Sequence, residues 1–186
     1  MGTEIEKKYR LTRDQRTELL RRLREAGATI EAEEFEENTI YRGNGLNPRT
    51  SVLRLRRTGD QAVLAYKERF ASLSAIKHQR EDETRIGDAD ALAAILDALG
   101  YKPELVYEKR RLTWCLAGAE LVVDDLPFGL FLEIEGEEKI IGEVEGLLGL
   151  TEVEAEMASY PELTRRHGEQ RGEIIEARFQ PKLPEM

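Results

Sequence analysis

Cysteine and histidine are scarce in this sequence. Cys115 stands alone, and His78 and His167 are the two histidines. One cysteine excludes a disulfide framework and a thiolate metal site. Two histidines so far apart in sequence do not suggest an imidazole cluster. Long apolar runs are missing too. No stretch approaches membrane-spanning length, and the first residues carry no apolar signal region. A soluble, cytoplasmic protein without a membrane partner is therefore expected. An excess of basic charge is also absent. The formal net charge is −9, which argues against a protein that coats a nucleic-acid polymer, because phosphate backbones need a basic surface. It leaves room for a small polyanion in a locally basic cavity. Gly43-Asn44-Gly45 is not a phosphate-cradling loop, since no Gly-Lys-Ser/Thr follows and no helix starts there. No repeat of solenoid period is present.

What the sequence has is charge, at 35% of its residues, placed in a particular phase. Glu4-Ile5-Glu6-Lys7-Lys8, Arg54-Leu55-Arg56, Lys109-Arg110-Arg111 and Glu133-Ile134-Glu135 each set charges two residues apart within a segment that reads as a strand. Residues i and i+2 of a strand share a face. At Ile5, Leu55 and Ile134 the intervening residue is apolar, so the oily face is the opposite one. This inverts the usual small barrel, whose interior is apolar. It suggests a closed sheet with a charged lumen and an apolar outside covered by helices. An open sheet with one wet face would give the same alternation, and both readings stand at this level.

Along the chain, strands are expected at about 3–10, 29–42, 51–58, 61–69, 76–86, 103–116, 119–125 and 130–136. Thr12 caps a helix over 13–26 that ends at Gly27, and Asp88 caps one over 89–99. A third helix covers 138–149, weakened by Gly142 and Gly146. A short one follows Tyr160-Pro161. The fold class is α+β, an eight-stranded antiparallel barrel with peripheral helices. One domain over 1–168 is followed by a charged, loosely held tail over 169–186, in which Ile174 and Ile175 have the character to dock. The acidic run from Glu31 to Glu37 reads as an outer strand edge, where charge discourages pairing. Trp114 and Phe131 read as packing residues, Asp125 as a turn former and His78 as a surface histidine.

The carboxylate rows Glu4/Glu6 and Glu133/Glu135 offer hard oxygen donors that suit Mg²⁺ or Mn²⁺. Glu81 and Glu83 form another same-face pair, and Asp124 stands near the final turn. Arg54, Arg56, Lys67, Lys109 and Arg111 bring cations from other strands, with Lys8 extending the first row. Arginine suits bidentate phosphate contact, and lysine point-charge neutralisation.

At these residues the chain resembles the CYTH superfamily, the triphosphate tunnel metalloenzymes. The resemblance runs through Glu4-x-Glu6-x-Lys8, Leu53-Arg54-Leu55-Arg56, Tyr66-Lys67, Arg80-Glu81-Asp82-Glu83-Thr84 and Lys109-Arg110-Arg111. It continues through Asp124, Gly129, Phe131, Glu133 and Glu135, and on to Ser159-Tyr160-Pro161-Glu162-Leu163. One departure is visible: Ile40-Tyr41-Arg42 stands where the family often has an aromatic pair and an aspartate. The resemblance implies an eight-stranded tunnel for a triphosphate and a divalent metal. It assigns Glu4, Glu6, Glu133 and Glu135, with Asp124, to the metal side. Lys8, Arg54, Arg56, Lys67, Lys109 and Arg111 would line the phosphate path, and Glu81 and Glu83 would complete the wall. Lys109, beside Arg111, is the candidate to orient the attacking water. The substrate implied is tripolyphosphate, thiamine triphosphate or ATP. The reaction is hydrolysis or, alternatively, adenylyl cyclisation to cyclic AMP and pyrophosphate. A non-catalytic polyphosphate- or nucleotide-binding module is a third reading, disfavoured because a pure anion binder gains nothing from added carboxylates. A homodimer is compatible with the sequence.

Overall fold

The structure is a computed structural model that describes residues 2–43, 45–70 and 75–180. Its frame is β1 (Gly2–Leu11), α1 (Arg13–Glu25), β2 (Thr29–Arg42), β3 (Ser51–Thr58), β4 (Gln61–Arg69), β5 (Lys77–Ile86), α2 (Ala89–Ala98), β6 (Lys102–Leu116), β7 (Ala119–Leu126), β8 (Gly129–Glu135), α3 (Glu138–Leu148), α4 (Tyr160–His167), β9 (Glu169–Arg171) and β10 (Ile174–Ala177). Strands β1 to β8 hydrogen-bond in the order β2-β3-β4-β5-β1-β8-β7-β6, and β2 pairs with β6 to close the ring. All eight of these pairings are antiparallel. The closed barrel, rather than the open sheet, is the correct reading of the alternating charge.

Local chemistry sets the corners. Thr58 pairs with Gln61 across Gly59-Asp60, and Gly59 takes a positive φ of 54°. Leu116 pairs with Ala119 across Ala117 and Gly118, both at positive φ. Such two-residue turns match the right-handed twist of the strands they join. Thr12 and Gln15 cap α1 reciprocally, and Ser159 and Glu162 do the same for α4.

The helices cover the outside. Tyr9 and Leu11 of β1, Trp114 of β6, Leu121 of β7 and Ile134 of β8 point outward into one core with Leu19 and Leu23 of α1 and Ile141, Val144 and Leu148 of α3. Glu145 of α3 is buried there and accepts hydrogen bonds from Lys7 and the Tyr9 hydroxyl. Leu96 of α2 packs on Tyr41, Leu55 and Ala62. Tyr41 therefore belongs to the outer packing and not to the lumen.

A third cluster lies at one end of the lumen. Ile40 shares its phase with Glu36, Tyr107 with Lys109, and Phe131 with Glu133. These apolar members meet Tyr160 and Leu163 of α4. The inward face is thus charged along the middle and apolar at one end, where α4 seats.

The segment from residue 169 is not loosely held over its described part. β10 pairs in parallel with β6 at Leu105–Tyr107 and antiparallel with β9. Ile175 and Ala177 join the α4 cluster, and Arg178 reaches Glu108 and Glu176. Alternating apolar residues gave this segment a face to bury, which its charged composition concealed. Residues 181–186, with Pro181 and Pro184, lie outside the described residues.

Candidate active site

Every barrel strand sends side chains into one cavity of about 310 Å³. Its wall has two characters. On one side the carboxylates Glu4 and Glu6 of β1 sit near Glu135 of β8, which pairs in register with Glu6 and with Glu120 of β7. Lys67 Nζ lies 2.7 Å from Glu4 and 3.0 Å from Glu81. Gln79 Nε2 donates to Glu4 at 2.7 Å, and Lys77 Nζ lies 3.3 Å from Glu6. Among the described residues no cation is in ion-pair contact with Glu135. Burial, then Glu4 and Glu120, push its carboxyl up to about 7. Like charges gathered in a restricted space favour a proton or an added cation.

On the other side Arg111 grips Asp124 with two hydrogen bonds, at 2.8 and 2.6 Å, and reaches Glu133 at 3.0 Å. Lys109 stands 3.3 Å from Asp124 and 3.4 Å from Glu36. The Tyr160 hydroxyl donates to Asp124 at 2.8 Å, and Lys8 Nζ sits 4.1 Å above the Tyr160 ring. Burial would raise the Asp124 carboxyl, but Arg111 and Lys109 hold it well below the usual carboxylate range. Burial, then Arg111, lower the Lys109 ammonium. Arg54 lies 3.6 Å from Glu81, and Arg56 lies 3.5 Å from Glu83 and 3.8 Å from Glu36.

All thirteen residues expected from the sequence to line a charged lumen face this cavity or its wall. Two of the expected metal-side residues depart in their neighbours: Asp124 stands with Arg111, Lys109 and Tyr160, and Glu133 contacts Arg111 and Lys8. His78 is a surface residue paired with Glu138, and Trp114 and Phe131 are fully buried packing residues. Asp125 lies within β7, opposite Arg110 in register.

Besides Gln79 and Glu120, which line the cavity, further lumen residues escape the sequence reading. The acidic run predicts an outer edge at Glu36, yet that residue is 1% exposed. Its signal was hidden because the glutamates from Glu31 to Glu37 occupy both phases of the strand. Lys77 is buried against Glu6, and burial, then Lys8, lower its ammonium to about 8. Lys77 shares the phase of Glu81 and Glu83, so period-two spacing could have found it. Tyr107 lines the cavity beside Lys109, an aromatic in the same phase.

The CYTH domain pattern matches residues 2–164. The chain belongs to the CYTH family. The PH1012 protein from Pyrococcus horikoshii is similar at 26% identity and a TM-score of 0.76, over 86% of this chain and 98% of that one. A conserved protein from Pyrococcus furiosus matches at 26% identity and 0.75, over 86% and 99%. HpAC1 from Hippeastrum, a candidate adenylyl cyclase described as having a dominant triphosphatase activity, matches at 21% identity and 0.69, over 88% and 95%. At that identity it shares the fold alone. No curated protein matches the chain.

The donor set fits a divalent metal of the CYTH type. Glu4, Glu6 and Glu135 are all oxygen donors, and their mutual repulsion is what a hard cation relieves. Among the described residues no three donors already stand in ligand geometry. Lys67 and Lys77 hold Glu4 and Glu6 instead. Among the described residues no helix is long and apolar enough to cross a membrane.

Proposed function

We propose that this CYTH protein is a metal-dependent triphosphatase that hydrolyses an inorganic or organic triphosphate inside its barrel. The observation that carries the proposal is the division of one cavity into a row of cations and a facing group of repelling carboxylates. The row comprises Arg54, Arg56, Lys109, Arg111 and Lys8. A triphosphate is a chain of mutually repelling anions. Fixed cations relieve that repulsion and hold the chain straight, and positioning with electrostatics dominates phosphoryl transfer.

In this reading Arg54, Arg56 and Lys67 receive phosphoryl oxygens from the β3–β4 side. Arg111 does so from β6, its guanidinium aimed by the bidentate contact with Asp124. Asp124 thereby serves as an anchor for a phosphate-binding arginine. Glu4, Glu6, Glu133 and Glu135 are assigned to the metal side. These carboxylates would hold Mg²⁺ or Mn²⁺, which would supply positive charge against the phosphate and a more acidic water. Lys109, buried between Glu36 and Asp124 over the Tyr160 ring, orients the attacking water. Glu81 and Glu83 steady Lys67, Arg54 and Arg56.

Supporting hydrolysis over cyclisation, the described cavity lining is overwhelmingly polar or charged, and its two tyrosines pack against each other. That composition suits a substrate made of phosphate more than one carrying a purine. The test is a panel of tripolyphosphate, thiamine triphosphate and ATP with Mg²⁺ or Mn²⁺. Release of orthophosphate is expected. Cyclic AMP with pyrophosphate from ATP would replace this reading by the cyclase. Glu6→Gln is expected to lower turnover roughly tenfold or more through weakened metal binding, and unchanged turnover would remove Glu6 from the metal side.

A further inference from the structure

The cationic wall contains one acidic residue that the proposed chemistry does not use. Glu36 of β2 lies between β3 and β6, opposite Lys109 in register, with Asn38 of the same strand opposite Arg56. Its side chain is 1% exposed. Asn38 Nδ2 donates to Oε2 at 3.1 Å and so fixes the carboxylate plane. Lys109 stands 3.4 Å from Oε2. Oε1 faces Arg111 Nε at 3.7 Å and Arg56 Nη1 at 3.8 Å, and it has no hydrogen-bond partner.

These distances matter. Arg111 closes to hydrogen-bond contact on Asp124 at 2.6 Å. Glu36 instead confronts three cations at a stand-off, with one oxygen unspent. Burial would raise its carboxyl, but Lys109, Arg111, Arg56 and Arg54 bring it down to about 2, so it is charged at any working pH. A permanent anion there competes for the same cations as an incoming phosphate.

We infer that Glu36 is an internal stand-in for a phosphate: it gathers Arg56, Lys109 and Arg111 toward one point, and its charge weakens their hold on the product. It is a positioning residue, and it rests on the reading of the cavity as a triphosphate site. Without it the cations would bind anions more tightly and release them more slowly. Charges a few ångströms apart at a partly buried site couple strongly enough to change an equilibrium by about tenfold or more.

The test measures binding of pyrophosphate and tripolyphosphate by titration calorimetry, with and without Mg²⁺, to the wild type, Glu36→Gln and Glu36→Asp. The expected result is binding about tenfold tighter or more for Glu36→Gln. A smaller gain in the same direction is expected for Glu36→Asp, which keeps the charge but withdraws it by one methylene. Inhibition of turnover by added pyrophosphate should deepen in the same order. Should the glutamine variant fail to fold, the aspartate variant carries the comparison. Unchanged or weaker binding in the folded variants would overturn the role and leave Glu36 a counter-charge for folding. A wild type that binds neither anion overturns the triphosphate reading itself, and this role with it. Wild-type binding with no gain in the variants overturns this role alone.

Discussion

Glu135 shows how one residue reports on the demand for a cation. Its neighbours Glu4, Glu120 and Glu6 are acidic, while Lys67 opposes them at a distance. In the unfolded chain its carboxyl titrates near the ordinary glutamate value of 4.5, and in the folded barrel it is pushed up to about 7. Between these two values the folded state binds more protons than the unfolded one. Its contribution to stability is therefore complete below about pH 4.5 and is lost as pH rises through about 7. Thermal unfolding followed from pH 5 to 8 is expected to show a falling midpoint, and Glu135→Gln should flatten that fall. Mg²⁺ added at pH 8 should raise the wild-type midpoint more than that of Glu135→Gln, because a ligand stabilises only the state that binds it. A pH dependence identical in both proteins would detach Glu135 from the carboxylate cluster.

At the scale of elements, the strands were the most legible part of the chain. Their ends agree with the sequence reading to within a residue or so, because each carries charge in one phase and apolar groups in the other until a turn residue interrupts it. β2 and β10 were harder, for opposite reasons. β2 has acids in both phases, so its inward residue Glu36 was concealed. β10 is four residues long and set in charged surroundings, and its pairing with β6 and β9 and packing on α4 make it a strand. Helix α3 survives two glycines because tertiary burial of Ile141, Val144 and Leu148 outweighs weak propensity. Gly142 is exposed, and a Cβ placed on it would meet nothing within 4 Å. Gly142→Ala is accordingly expected to stabilise the protein by about 0.5–1 kcal/mol, since alanine loses less backbone entropy in a helix. Urea unfolding would measure it, and a lower midpoint would mean that α3 depends on the glycine for its packing.

The whole molecule sets a net charge of −9 against a site built to take a polyanion. The two ends of the cavity resolve that conflict. Glu120 and Glu135 are strand neighbours at the acidic end. Arg42, Arg49, Arg69 and Arg165 line the cavity, and so does Glu162 of the first turn of α4. Arg42 and Arg165 share a single carboxylate, Glu104. The mouth beside α4 therefore keeps a positive excess while the protein as a whole repels anions. This asymmetry was not legible in the sequence, because the four arginines come from separate segments and only closure of the barrel brings them together. An approaching anion feels the near mouth more than the distant surface once salt screens beyond about 10 Å. Steering of this kind acts on association and weakens with ionic strength. The KM for tripolyphosphate is expected to rise about threefold or more between roughly 50 and 200 mM salt. In Arg49→Ala/Arg69→Ala it should start higher and depend less on salt. Equal salt dependence in both proteins would show that substrate does not enter past these arginines, and would direct attention to the acidic end instead.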